Sequence, residues 1–168
     1  VGTTANFCVS KYEMKCNNDA TGAACTGVAV SKAADQPWVN LNHASAKTAC
    51  SLMGSQYHLI TNPEWMTIAR SIEATATNWS TGTVSSGALN RGHSDNVPAS
   101  SLAAGADTDP CSGTGQNCTV FNDQRRTHVL ANGQTIWDFA GNVSEFTDWN
   151  PSGRSGTPGA TNIELNTS

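Results

Sequence analysis

The chain has 168 residues and a net charge of -4, and only 13% of its residues are charged. This length suits one domain with a core, so we expect a single domain over residues 1–168 that is part of a larger protein. The absence of a basic cluster argues against nucleic acid as a partner. No apolar run approaches the roughly 20 residues of a membrane-spanning helix, so no membrane insertion is expected.

Six cysteines in a chain rich in Ser, Thr and Asn favour disulfides and an oxidising environment, hence an extracellular or cell-surface location. Two pairs are close in sequence and bracket turn-forming stretches, while the other two cysteines are left for each other or for cysteines outside this chain. A zinc site is the rival interpretation, but no Cys-x-x-Cys or His-x₃-His spacing supports it. The disulfides predicted on this basis are Cys16–Cys25, Cys111–Cys118 and Cys8–Cys50.

The N-terminal half predicts a strand, a loop and a helix in that order. Residues 7–14 alternate apolar and polar side chains, as in a strand, and residues 17–35 are small and polar, as in a loop or ragged hairpin. Residues 37–41 are predicted to be extended and to lead into a helix. Asn42 is a candidate N-cap for that helix and Gly54 a candidate end.

A second helix has the clearest local signal. Thr61 and Glu64 form a predicted capping box, in which each side chain binds the other residue's free backbone N–H, and Pro63 suits the first turn. One apolar stripe follows at helical spacing: Trp65, Ile68, Ala69 and Ile72.

Beyond Glu73 the chain loses periodicity for about fifty residues, and such long irregular segments are typically functional or organised by a ligand. Residues 126–130 and the pair Asn132–Gly133 then predict a hairpin with a two-residue turn. Two helices, a few short strands and long loops indicate an α+β fold.

Residues 136–146 place two carboxylates, Asp138 and Glu145, on either side of a Gly-Asn turn. Calcium takes several oxygen ligands, so a turn of this kind can wrap one ion with both acids. The alternative is a strand, a turn and a strand whose acids face water.

Three segments in chain order resemble one family. They are P-W-V-N-L-N over residues 37–42 with A-K-T-A-C over residues 46–50, L-I-T-N-P-E-W over residues 59–65 with A-R behind it, and I-W-D-F-A-G-N-V-S-E-F over residues 136–146. Together they resemble signatures of the formylglycine-generating-enzyme-like domain, whose fold is a variant of the C-type lectin fold. The resemblance covers roughly residues 7–149.

The resemblance implies a calcium site in the last segment. Its ligands would be the side chains of Asp138 and Glu145 and the main-chain carbonyls of Gly141 and Val143. A second family calcium site has its candidates in the irregular segment, at Asn90 and Asp95.

The chain also departs from the family. The enzymes of the family oxidise a substrate cysteine with copper held by two cysteines after the Gly-Asn motif, whereas no cysteine follows Glu145 here. The family's closing segments are also absent, so either the chain has been cut or it closes differently. We therefore expect no enzyme activity.

The combined expectation is a non-catalytic recognition or adhesion module, with calcium-stabilised loops, that binds a glycan or protein ligand on a cell surface. Similar domains occur on bacterial surface proteins and on phage-type receptor-binding proteins. The candidate ligand-binding residues lie in the loops: Trp79, Arg91 and His93. The alternatives are a formylglycine-generating-type oxidase and a structural fibre-tip or spacer domain, and homo-oligomers through neighbouring segments of the parent protein are a further expectation.

Overall fold

The computed structural model describes residues 6–95, 98–105, 108–116, 118 and 123–148. Trp149, where the family resemblance ends, lies outside the described residues. Within them, the α+β class predicted from the sequence is confirmed, with two helices and two small antiparallel sheets. The elements in chain order are β1 (Met14–Cys16), β2 (Ala29–Ser31), α1 (His43–Ser51), α2 (Asn62–Glu73), a 3₁₀ turn (Ala76–Asn78), β3 (Thr127–Val129) and β4 (Thr135–Trp137).

The N-terminal hairpin pairs β1 with β2 in antiparallel register along all three residues of each strand. The predicted Cys16–Cys25 disulfide closes its loop, with the two Cα atoms 5.7 Å apart. The strand predicted over residues 7–14 is wrong for most of its length, since only Met14 belongs to β1. Its apolar residues serve packing instead, because Phe7 lies partly buried against the core.

Helix α1 begins as the sequence predicts, because the Asn42 side chain accepts a hydrogen bond of 2.8 Å from the backbone N–H of Ser45. The helix ends at Ser51, earlier than the predicted end at Gly54. The residues that follow form turns, in which the backbone N–H of Gly54 donates to the carbonyl of Ser51.

Helix α2 has the predicted capping box. The Glu64 carboxylate accepts from the backbone N–H of Thr61 at 2.8 Å, and the Thr61 hydroxyl oxygen accepts from the backbone N–H of Glu64. The apolar stripe of α2 faces the core, where Ile68 and Ile72 are buried against Ile136 of β4.

The hairpin of β3 and β4 is confirmed, but its turn is longer than predicted. Leu130 donates its N–H to the carbonyl of Gln134, and three residues lie between them, so the connection is a three-residue loop. Gly133 takes the left-handed φ of +80° that such a loop needs at its last position.

The irregular segment between α2 and β3 contains the 3₁₀ turn and further turns in its described residues. Its attachment to the core depends on side chains. Asn78 is fully buried, donates to the carbonyls of Ile72 and Val129, and accepts from the N–H of Val129. In the described part of the chain, no helix has the length and apolar character needed to cross a membrane.

Candidate functional site

Asp138 follows the last residue of β4 and turns the chain out of the sheet with a φ of +54°. Its side chain is 1% exposed and is held by Arg126 in a bidentate ion pair. Nε of Arg126 donates to Oδ1 at 2.7 Å, and Nη2 donates to Oδ2 at 2.6 Å. Both carboxylate oxygens of Asp138 therefore already bind a cation that belongs to the protein.

The remaining N–H groups of Arg126 bind main-chain carbonyls of the irregular segment. Nη1 donates to Ala103 at 2.8 Å and to Ser112 at 2.7 Å, and Nη2 donates to Leu102 at 3.1 Å. Because guanidinium has five N–H donors and all five are used, the buried charge is fully compensated. Arg126 thus joins the motif of Asp138 to two stretches of the irregular segment. This role of Arg126 is not predicted from the sequence, in which the available signal is an arginine just before a predicted strand.

The Gly-Asn turn after Asp138 packs against the segment around Arg91 and His93. A Cβ atom on Gly141 would lie 2.7 Å from the carbonyl oxygen of Arg91 and 2.8 Å from the carbonyl carbon of His93, and its φ is +84°. Glycine is therefore required for both conformation and space. The next residue, Asn142, donates its N–H to the carbonyl of His93 at 2.8 Å.

The side chain of Asn142 links three parts of the chain. Its Oδ1 accepts from the N–H of Leu102 at 2.7 Å, and its Nδ2 donates to the Leu102 carbonyl at 3.1 Å and to Oε2 of Glu13. From the sequence, Asn142 is predicted only as part of a turn. The structure gives it a second role, because it brings the carboxylate of Glu13 next to the acidic motif.

Glu13 and Glu145 join Asp138 in a cluster of three carboxylates whose charges interact. Burial raises the pKa of Glu13 to about 9, with further contributions from the charges of Asp138 and Glu145. Burial and the charge of Asp138 raise the pKa of Glu145 to about 7. The shift is smaller for Glu145, whose residue is exposed to solvent.

The predicted calcium ligands fit this arrangement only in part. Asp138 would have to share its oxygens with an ion, because Arg126 already binds both of them. Glu145 is accessible and has no ion pair among the described residues. No group of three or more His, Cys, Asp or Glu side chains in the described residues is arranged to hold a metal ion. Because main-chain carbonyls supply two of the four predicted ligands, calcium binding stays a prediction.

The structure brings Arg91, His93 and Asp95 together beside a polar cleft. Nη2 of Arg91 and Nδ1 of His93 each lie 3.9 Å from an Asp95 carboxylate oxygen, and Nε of Arg91 donates to Asp123 at 2.9 Å. The cleft has a volume of about 470 Å³. Its walls are His93–Asp95, Pro98–Ser101 and Gly141–Ser144.

Two other predicted site residues, Trp79 and Asn90, lie away from the cleft and make hydrogen bonds within the fold. Trp79 donates its indole N–H to the carbonyl of Glu73 at 2.9 Å and pairs through its backbone with Leu89. Asn90 is 3% exposed and donates its side-chain amide to the carbonyl of Thr127. Neither residue lines the polar cleft.

A second opening, which we call the aromatic groove, lies between the N-terminal segment, α1, α2 and the acidic motif. It has a volume of about 640 Å³ and includes Glu13 and Glu145 in its wall. Its walls are mainly aromatic and aliphatic and include Phe7, Tyr12, Trp38, Tyr57, Trp65 and Phe146.

The second predicted local disulfide, Cys111–Cys118, is also present, with Cα atoms 5.7 Å apart. The third predicted pair is not formed, because Cys8 and Cys50 are both free thiols in the structure. Cys50 is buried on α1 and burial raises the pKa of its thiol, whereas Cys8 is exposed. Both line the aromatic groove.

Comparisons with models of known protein families, with curated proteins and with solved structures find no match to this chain. The resemblance to the formylglycine-generating-enzyme-like domain therefore rests on the three sequence segments, and it stays a prediction.

Proposed function

We propose that this chain is a non-catalytic recognition module of an extracellular or cell-surface protein, and that it binds a glycan or protein ligand at the polar cleft. The observation that supports this most directly is the position of His93 and Asp95. The sequence predicts His93 as a ligand-binding residue and Asp95 as a calcium ligand, and both line the same cleft beside the Gly-Asn turn.

The cleft contains buried polar atoms that have no hydrogen-bond partner among the described residues. Nε2 of His93 bonds to the carbonyl of Ser100 at 3.2 Å, whereas Nδ1 of the same ring has no partner. Oδ1 of Asp95 is an acceptor without a partner. Unsatisfied buried polar atoms of this kind are costly, and ligand hydroxyl or N–H groups would satisfy them. A glycan presents many hydroxyl donors in a small volume.

The cleft is also held in place by the fold. Asn142 binds the carbonyl of His93 on one wall and both backbone groups of Leu102, next to the other wall. Walls fixed in this way reduce the entropy lost on binding. Two disulfides agree with an oxidising, extracellular location. Neither alternative, the oxidase or the structural fibre-tip or spacer domain, is favoured by a specific contact in the described residues.

The test is a glycan array together with a cell-binding assay, both with the full chain. Ser94 is exposed and lines the cleft, so Ser94→Trp should fill the cleft and abolish binding. The matched control is Ser51→Trp, at an exposed position on α1 outside the cleft, which should bind like the wild type. Equal binding by the two variants, or no binding by the wild type in either assay, would overturn the proposal.

A further inference from the structure

The aromatic groove contains a carboxylate without a counter-charge. Asp138 is paired with Arg126, and Oε2 of Glu13 lies 4.0 Å from the buried ammonium of Lys15. Glu145 lines the groove, is accessible, and makes no ion pair among the described residues. Of these three carboxyl groups, only that of Glu145 has no basic side chain beside it in the described part of the chain.

A second observation points to a ligand at the same place. The Glu13 side chain is 4% exposed and lines the groove, and its Oε1 has no hydrogen-bond partner. Its charge interacts with that of Glu145. Because the pKa of Glu13 is about 9, its carboxyl group is protonated at neutral pH. The groove therefore presents the accessible carboxylate of Glu145 with a buried, half-satisfied carboxyl group behind it.

We propose that the aromatic groove binds a lysine side chain of a protein partner, with the ammonium group on Glu145. The proposal concerns a different opening from the polar cleft and does not depend on a ligand there. A compact ammonium has three donors that can point to one carboxylate and to a neighbouring carboxyl oxygen, whereas a guanidinium needs one carboxylate presented edge-on.

The walls of the groove suit the rest of a lysine side chain. Its four-carbon stem is apolar and packs on apolar surface while the charged head reaches a polar partner. Tyr12 precedes Glu13 in the sequence, Phe146 follows Glu145, and both aromatic side chains line the groove. Aromatic faces attract ammonium groups. The Tyr12 ring already attracts one, because the Lys11 ammonium lies 5.2 Å from its centroid.

The experiment titrates the isotope-labelled full chain with a blocked Gly-Lys-Gly tripeptide and follows binding by NMR. The matched ligand is the same tripeptide with an acetylated lysine, which keeps the stem and removes the charge. The lysine peptide is expected to shift signals of groove residues such as Tyr12 and Phe146. The acetylated peptide should bind about fivefold more weakly, the upper end for one solvent-accessible ion pair.

Two variants assign the effect to the proposed carboxylate. Glu145→Gln should weaken binding of the lysine peptide by about fivefold, whereas Glu73→Gln, at an exposed acid outside the groove, should leave it unchanged. Because Glu145 is exposed, its variant is expected to fold normally, which the NMR spectrum itself verifies.

Three outcomes would overturn the proposal. They are equal affinity for the two peptides, equal affinity of Glu145→Gln and wild type, and a calcium titration that shifts the Glu145 signals when the lysine peptide does not. The last outcome would identify Glu145 as a metal ligand. Loss of glycan binding at the polar cleft would affect none of these measurements, so the two proposals fail separately.

Discussion

Replacing Arg126 with methionine is expected to destabilise the fold more than any exposed substitution. Methionine keeps an apolar stem of similar length and removes all five N–H donors. Two of the lost hydrogen bonds go to Asp138 and three go to main-chain carbonyls of Leu102, Ala103 and Ser112. The variant therefore leaves a buried carboxylate without its cation and three carbonyls without a donor.

The expected cost follows from burial, because Arg126 and Asp138 are 0% and 1% exposed at their side chains. Removing one partner of a buried ion pair costs about 3–5 kcal/mol, and the orphaned carbonyls place this variant at the upper end. A domain of this size is stable by about 5–15 kcal/mol, so one substitution removes a large part of the total. With a urea dependence of about 2 kcal/mol per molar, the midpoint should fall by about 2 M.

Urea unfolding followed by tryptophan fluorescence measures this shift. The matched control is Arg70→Met, at an exposed position in the last turn of α2, which should cost less than about 1 kcal/mol. Adding Asp138→Asn to Arg126→Met should recover part of the loss, because the uncompensated charge is removed. A loss below about 1 kcal/mol for Arg126→Met alone would refute the reasoning that this ion pair holds the segment.

Three further predictions concern the turn, the cap and the calcium site. Gly141→Ala should cost about 1–3 kcal/mol more than Gly133→Ala in urea unfolding, because both have φ near +80° but only Gly141 has backbone within 3 Å of a new Cβ. Burial raises the pKa of Glu64, but hydrogen bonds from Thr61 outweigh it and the net shift is downward. The wild type should therefore be more stable than Glu64→Gln by a constant amount above pH 4.5. This difference should disappear as the pH falls through the lowered pKa, which melting curves at several pH values would show. If Glu145 binds calcium, the melting temperature of the wild type should be higher in calcium than in chelator, and that of Glu145→Ala should be the same in both. A wild type whose melting temperature does not respond to calcium would count against the site.

The sequence predicted the features whose signals are local. Asn42, Thr61 and Glu64 act on backbone groups within three residues, and the two confirmed disulfides close loops of nine and seven residues. Both helices and the hairpin of β3 and β4 follow from such short-range patterns.

The features that the sequence did not predict depend on distant partners. The pair of Arg126 and Asp138 spans 12 residues, and the contact of Asn142 with Glu13 spans 129. The two acids around the Gly-Asn turn were both predicted as metal ligands, because nothing near them in the sequence shows that one of them pairs with an arginine. The pairing of Asp138 with Arg126 was not predicted, because Arg126 precedes β3 and Asp138 follows β4, and the two residues meet only through the pairing of these strands.

The irregular segment is attached to the rest of the fold mainly by hydrogen bonds from side chains. The guanidinium of Arg126 and the amides of Asn78 and Asn142 use their hydrogen-bonding groups on backbone of that segment or its neighbours. Six buried side-chain atoms among the described residues have no partner, and three of them belong to residues that line the two openings: Glu13, His93 and Asp95. Buried polar atoms are normally satisfied, so their concentration at the polar cleft and the aromatic groove argues that these surfaces are completed by ligands.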